Sequence, residues 1–149
     1  MRCLRRLALL AGLAGQAALA EGVTVDFGMT TRDWLNSVRA AEGRASLILS
    51  DQLTRAAAAH ASDMARTGRF SHAGRDGSTV AERVRRQDYS YCFVAENIAR
   101  GQATPQEVLD DWMASPGHRR NMLDPRATGV ALVRGPGRVW VMVLGRDGC

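Results

Sequence analysis

Two stretches near the C-terminal end, residues 129–133 and 139–144, are apolar at consecutive positions, and Arg134-Gly135-Pro136-Gly137 separates them as a turn. A strand that is apolar on both faces has to be covered on both. These two strands therefore form a buried hairpin, and the rest of the chain has to supply a layer for each side of the sheet.

The remainder has the material for those layers. Thr31 is placed to cap a helix carrying Trp34, Leu35, Val38 and Ala41, with Gly43 as its stop. Ser50 opens a second, alanine-rich helix whose buried stripe reads Leu53, Ala57, His60, Met64, ended by Gly68. His60 thus lies on an apolar face and is assigned to structure. After a loop holding Phe70-Ser71-His72 and a Gly-Arg-Asp-Gly turn, Thr79 and Glu82 form a capping box for a short helix. Residues 89–98 read as an extended segment without clear period, with Glu96-Asn97 inside apolar neighbours. Thr104-Pro105-Gln106-Glu107 starts a helix whose apolar face is Val108, Leu109 and Trp112. Ser115-Pro116 breaks and restarts it, with Ser115 as cap and His118 near the new N-terminus, where the dipole favours a neutral imidazole. Trp112 and Trp140 read as core anchors.

Residues 1–20 have the layout of a cleaved secretory signal: Arg2, Arg5 and Arg6, an apolar run, and Ala18-Leu19-Ala20. The expected organisation is a leader over 1–20 and one domain over 21–149, with no repeat or linker to split it. No stretch reaches the roughly 20 apolar residues of a membrane helix. Three arginines of the formal +5 belong to the leader, which has no acid, so the working domain is only mildly basic. There is no lysine, and acids and arginines are interspersed along the chain, so no long basic stripe points to nucleic acid. Cys92 and Cys149 remain after the leader, and a secreted compartment allows them to pair, closing a loop worth about 4 kcal/mol on the chain-entropy model.

His72 and His118 fall in loop or helix-start positions beside turn residues. With a carboxylate such as Glu96 they could hold a divalent ion or act as acid and base. The spacing alone also suits the simpler reading, in which Glu96, Asn97 and Asn121 bond neighbouring backbone.

Taken together, His60-Ala61, Phe70-Ser71-His72, Ala95-Glu96-Asn97-Ile98-Ala99, the run from Trp112 through Ser115-Pro116-Gly117-His118 to Asn121-Met122-Leu123, and a closing Gly129-Val130…Trp140-Val141 resemble the CAP superfamily. That family, also called SCP/TAPS, groups cysteine-rich secretory proteins, antigen 5 and pathogenesis-related protein 1. The resemblance covers about residues 34–145 and is nearest to short bacterial members. It implies an α+β fold, a three-layer α-β-α sandwich with a small central antiparallel sheet, and an extracytoplasmic location. It also implies a cleft in which the family places two histidines and two glutamates. His72, Glu96 and His118 match three of these. The fourth position, three residues after Trp112, is Ser115, so the second carboxylate is missing unless Asp110 or Asp111 replaces it.

On this basis the chain is expected to be a secreted or periplasmic, monomeric single domain acting as a noncatalytic binding module. Its cleft of His72, Glu96, Asn97, Ser115 and His118 would take an unknown small ligand, lipid- or sterol-like, or a protein. No cofactor is required, although His72 and His118 could bind zinc or magnesium. One alternative is a hydrolase using Ser115, Glu96 and His118, or Ser71 with His72, against which stands the lack of a Gly-x-Ser-x-Gly elbow. Another is a structural or protein-interaction role in the envelope.

Overall fold

The computed structural model describes residues 22–149, so the expected leader lies outside the described residues. In chain order the elements are β1 (Val25–Asp26), α1 (Gly28–Ala41), β2 (Ile48–Leu49), α2 (Asp51–Thr67), α3 (Val80–Arg85), β3 (Tyr91–Arg100), α4 (Pro105–Ala114), α5 (Pro116–Met122), β4 (Gly129–Gly135) and β5 (Val139–Asp147), with a 3-10 turn at Pro136–Arg138 closing the hairpin. The sheet runs β1-β4-β5-β3 with antiparallel neighbours, and β2 adds a short parallel pairing to β4.

Alternation along the strands sorts the core into two halves. Val130 and Leu132 of β4 and Trp140, Met142 and Leu144 of β5 point to one face, where Leu35 of α1, Val108, Leu109 and Trp112 of α4 and Met122 of α5 cover them. Ala131, Val133, Val139, Val141 and Val143 point to the other, under Leu53, Ala57, Ala61 and Met64 of α2 and Val84 of α3. This is the three-layer sandwich that the doubly apolar hairpin demanded. The α2 layer sits close because both surfaces are small: a Cβ added at Gly135 would lie 3.0 Å from the Cβ of Ala61.

Helix starts follow the sequence at three places. Ser50 accepts from the Leu53 N–H, Thr79 and Glu82 form the reciprocal capping box, and Thr104 accepts from the Glu107 N–H with Pro105 in the first turn. Two expected caps are corrected. The first helix begins at Gly28, so Thr31 is buried inside it; the Gly28 N–H is taken by Asp26 Oδ1 at 2.7 Å, and that turn starts the helix earlier. Ser115 occupies the cap position of α5 but its hydroxyl makes no capping bond, being committed to His118.

Two long-range ties hold the layers. Cys92 and Cys149 are bonded, with 5.5 Å between their Cα atoms. Arg39 of α1 is fully buried and donates to the carbonyls of Ala45, Met122, Asp124 and Ala127, joining α1 to the segment after α5. Four carbonyl acceptors meet the requirement that a buried charge be solvated by the protein itself.

Candidate functional site

The site grows from the alternation of β3. Glu96 and Asn97 are adjacent, so they leave the strand on opposite faces. Glu96 shares the α2/α3 face with Ile98, and Asn97 the α4/α5 face with Ala99.

Glu96 has a side chain only 2% exposed, and both its oxygens are engaged. Oε2 accepts from the Arg83 guanidinium at 2.7 Å, and Oε1 accepts from His72 Nδ1–H at 2.8 Å, with His60 Nε2 3.8 Å away. Arg83 also donates to the Ser78 carbonyl at 2.8 Å. A buried carboxylate with a buried guanidinium partner is the arrangement that a low-dielectric interior tolerates. His72, in the loop after α2, is 59% exposed, so the buried pair serves as the anchor of a ring that stands in solvent. A donated Nδ1–H leaves Nε2 as the ring's outward nitrogen.

On the other face the groups are neutral. The Asn97 amide, fully buried, donates to the His118 carbonyl at 3.2 Å and accepts from Asn121 at 2.9 Å. Asn121 also donates to the Glu96 carbonyl at 3.4 Å, so α5 is stitched to the strand that carries Glu96. His118 shares a hydrogen bond with Ser115 Oγ at 3.0 Å through Nδ1, and its ring lies 6.2 Å from that of Trp112. Burial, and secondarily the charge of His72, push the His118 pKa down, so the ring is neutral near pH 7.

The residues expected to form one set are thus divided. Glu96 binds His72, whereas His118 pairs with Ser115, and no hydrogen bond or ion pair joins Glu96 to His118. A Ser115-His118-Glu96 triad is therefore not assembled. Pro116 follows Ser115 and has no N–H to offer an oxyanion, which removes the donor that a nucleophile elbow takes from that position. Ser71 is spent on its turn, its hydroxyl accepting from the Ala73 N–H. Asp110 and Asp111 are exposed and bond Gln106 and Gln102, so neither replaces the missing carboxylate.

Among the described residues no group of three or more His, Cys, Asp and Glu is gathered to hold a metal. With both Glu96 oxygens occupied, the donors left are the Nε2 atoms of the two imidazoles. Imidazole nitrogen is a donor that zinc takes, whereas magnesium calls for oxygen ligands, and Glu96 would orient His72 from behind.

Sequence reasoning missed Arg83 and the position of His60. Arg83 reads as one of several arginines on a short helix, yet the capping box fixes the phase of α3, and an arginine four residues past its Thr79 cap falls on the inner face. His60 is buried as expected, but against Glu96, with Nε2–H donated to the Ser71 carbonyl at 3.0 Å.

The family description "Cysteine-rich secretory protein family", CAP, matches residues 33–144. The chain is 36% identical over 107 residues to the uncharacterized protein YkwD of Bacillus subtilis, covering 70% of this chain and 41% of that one. In structure it is similar to an extracellular protein containing an SCP domain from Bacillus anthracis, with TM-score 0.75 at 26% identity, covering 80% of this chain and 40% of that one. It is similar as well to an outer surface protein of Borrelia burgdorferi, with TM-score 0.74 at 18% identity, covering 85% of this chain and 99% of that one. The chain thus spans less than half the length of YkwD and of the B. anthracis protein. No helix among the described residues is long and apolar enough to cross a membrane.

Proposed function

The chain belongs to the CAP family of cysteine-rich secretory proteins, and from that premise we propose that it is a noncatalytic binding module working outside the cytoplasm, as one domain over residues 21–149 after loss of a leader over 1–20. Its ligand, or a zinc ion completed by water, sits in the cleft edged by His72 and His118, with Glu96 and Ser115 holding those rings and Asn97 holding the backbone of His118. The observation that carries this reading is the Glu96 to His72 bond: a buried carboxylate, already neutralised by Arg83, is spent on orienting an exposed imidazole. Support for the extracytoplasmic setting comes from the extracellular and outer-surface neighbours and from the Cys92–Cys149 bond.

Zinc titration of residues 21–149 by calorimetry, beside the His72→Ala, His118→Ala double variant, tests the cleft. Micromolar binding lost in the double variant is the expected result for a metal-holding cleft. Equal binding by both proteins would place the ion elsewhere and overturn the assignment. No binding by either removes zinc and leaves the two rings as hydrogen-bonding groups for an organic ligand.

A second reading, a hydrolase, is favoured by one observation, the 3.0 Å contact between Ser115 Oγ and His118 Nδ1. It predicts labelling of Ser115 by serine-directed phosphonates that is abolished in His118→Ala. Absence of labelling in the native protein rejects it.

A further inference from the structure

α2, α3 and the loop between them border a cavity of about 340 Å³, with His60 and Arg83, two neighbours of Glu96, in its wall. Its size lies within the range of small-molecule sites. Three features of its wall bear on what it could hold.

The first is an unmet acceptor. His60, 1% exposed, lines this cavity. Its Nε2–H is committed to the Ser71 carbonyl, so in the neutral ring Nδ1 carries a lone pair, and this buried atom has no hydrogen-bond partner. Burial holds the His60 pKa below its ordinary value, which keeps the ring in that neutral form. A buried acceptor without a donor is costly, and a hydroxyl would supply one.

The second is charge. The wall carries Arg66, Arg75, Arg83 and Arg86 against Asp63 and Asp76. Asp63 pairs with Arg66 and Asp76 with Arg86, each at 2.7 Å, while Arg83 is matched from behind by Glu96. Arg75 has no ion pair among the described residues. The surplus is positive and sits on Arg75.

The third is that the wall is not purely polar. Ala56 and Ala59 of α2 form one side, giving a carbon skeleton a surface to lie against.

We propose that this cavity is a second ligand site, separate from the His72 and His118 cleft, that takes a small hydroxylated anion with its hydroxyl on His60 Nδ1 and its carboxylate or phosphate on Arg75. A sugar acid or a polyol phosphate has both groups on a skeleton of fitting size. Nδ1 is itself buried, so binding includes a displacement of wall groups that opens it to the hydroxyl.

The test is calorimetry at low ionic strength on residues 21–149 with D-glucuronate and sn-glycerol 3-phosphate, beside D-glucose and acetate, which each lack one of the two groups. At least one of the two hydroxylated anions should bind saturably, and which one does identifies the anionic group. Arg75→Ala should weaken that binding about tenfold, as loss of a charge-assisted contact does. Ala59→Phe, a change at an exposed wall position that fills the cavity, should abolish it. His118→Ala should leave it unchanged. The proposal is overturned if neither anion binds, if D-glucose or acetate binds as tightly, or if Ala59→Phe binds normally. Binding lost in His118→Ala and kept in Ala59→Phe would assign the anion to the cleft instead, overturning the second site while leaving the cleft reading standing.

Discussion

The two faces of β3 solve one problem with different materials. On the α2/α3 face Glu96 holds His72 through a charged, buried pair with Arg83; one residue further, on the α4/α5 face, Asn97 holds the backbone of His118 through neutral amides. The charged side can orient a ring that stands largely in water, because the carboxylate end of the bond is buried and so less screened than an exposed pair. It also carries a risk, since any break in it strands a charge in the interior. The amide side orients no ring directly, and each of its bonds is replaceable at modest cost.

The largest test of that contrast is Glu96→Gln. It leaves the Arg83 guanidinium buried without its counter-charge and should lower the unfolding free energy by about 3–5 kcal/mol in urea titration. A loss below about 1 kcal/mol would mean that Arg83 reaches water and that the two faces are energetically alike. Asn97→Ala comes next. It removes two bonds, the one donated to the His118 carbonyl and the one accepted from the Asn121 amide, at an expected cost of about 1–3 kcal/mol by the same measurement. Ser115→Ala should cost no more than about 0.5 kcal/mol, because its hydroxyl serves a half-buried ring and caps nothing. A cost near 1 kcal/mol or above would restore the capping role.

The finest probe is pH. His60 and His118 both have folded pKa values pushed below the ordinary 6.5, His60 mainly by burial. Between the folded and unfolded values the unfolded chain binds more protons, so stability is fully present above about 6.5 and is lost as pH falls through the folded values. The urea midpoint should therefore decline as pH drops from 7.5 towards 5, and His118→Gln should make that decline shallower. Asp124, held low by Arg126, contributes its own loss only at more acid pH. A midpoint flat across pH 5 to 7.5 would show that neither ring is shifted.

Much of this frame is readable in the sequence, and the reason is locality. Caps at Ser50, Thr79 and Thr104 act within three residues, and the doubly apolar hairpin declares its own burial. What escapes depends on residues distant in the chain. Arg39 looks like a surface arginine until its acceptors, three of them carried by residues 122–127, are known. Glu96 groups with His118 in the sequence because both are candidates for one cleft, but residues 89–98 show no clear period, so nothing there says which face of β3 each side chain takes. Strands of two residues such as β1 and β2 are too short to leave a pattern. At Ser115, sequence reasoning prefers the nearer partner, a backbone N–H, and the imidazole one turn later wins.

The sheet order has a kinetic side. Among the described residues β3 pairs only with β5, and its registers join Glu96 to Val143 and Ile98 to Val141. In a chain that emerges in order from its N-terminus, the strand that carries Glu96 and Asn97 is made well before its sole partner, and β4 must also come first to fold back on β5. Loop closure over such separations is slow. A chain ending before Val139 would therefore carry every site residue while β3 lacked the strand it pairs with.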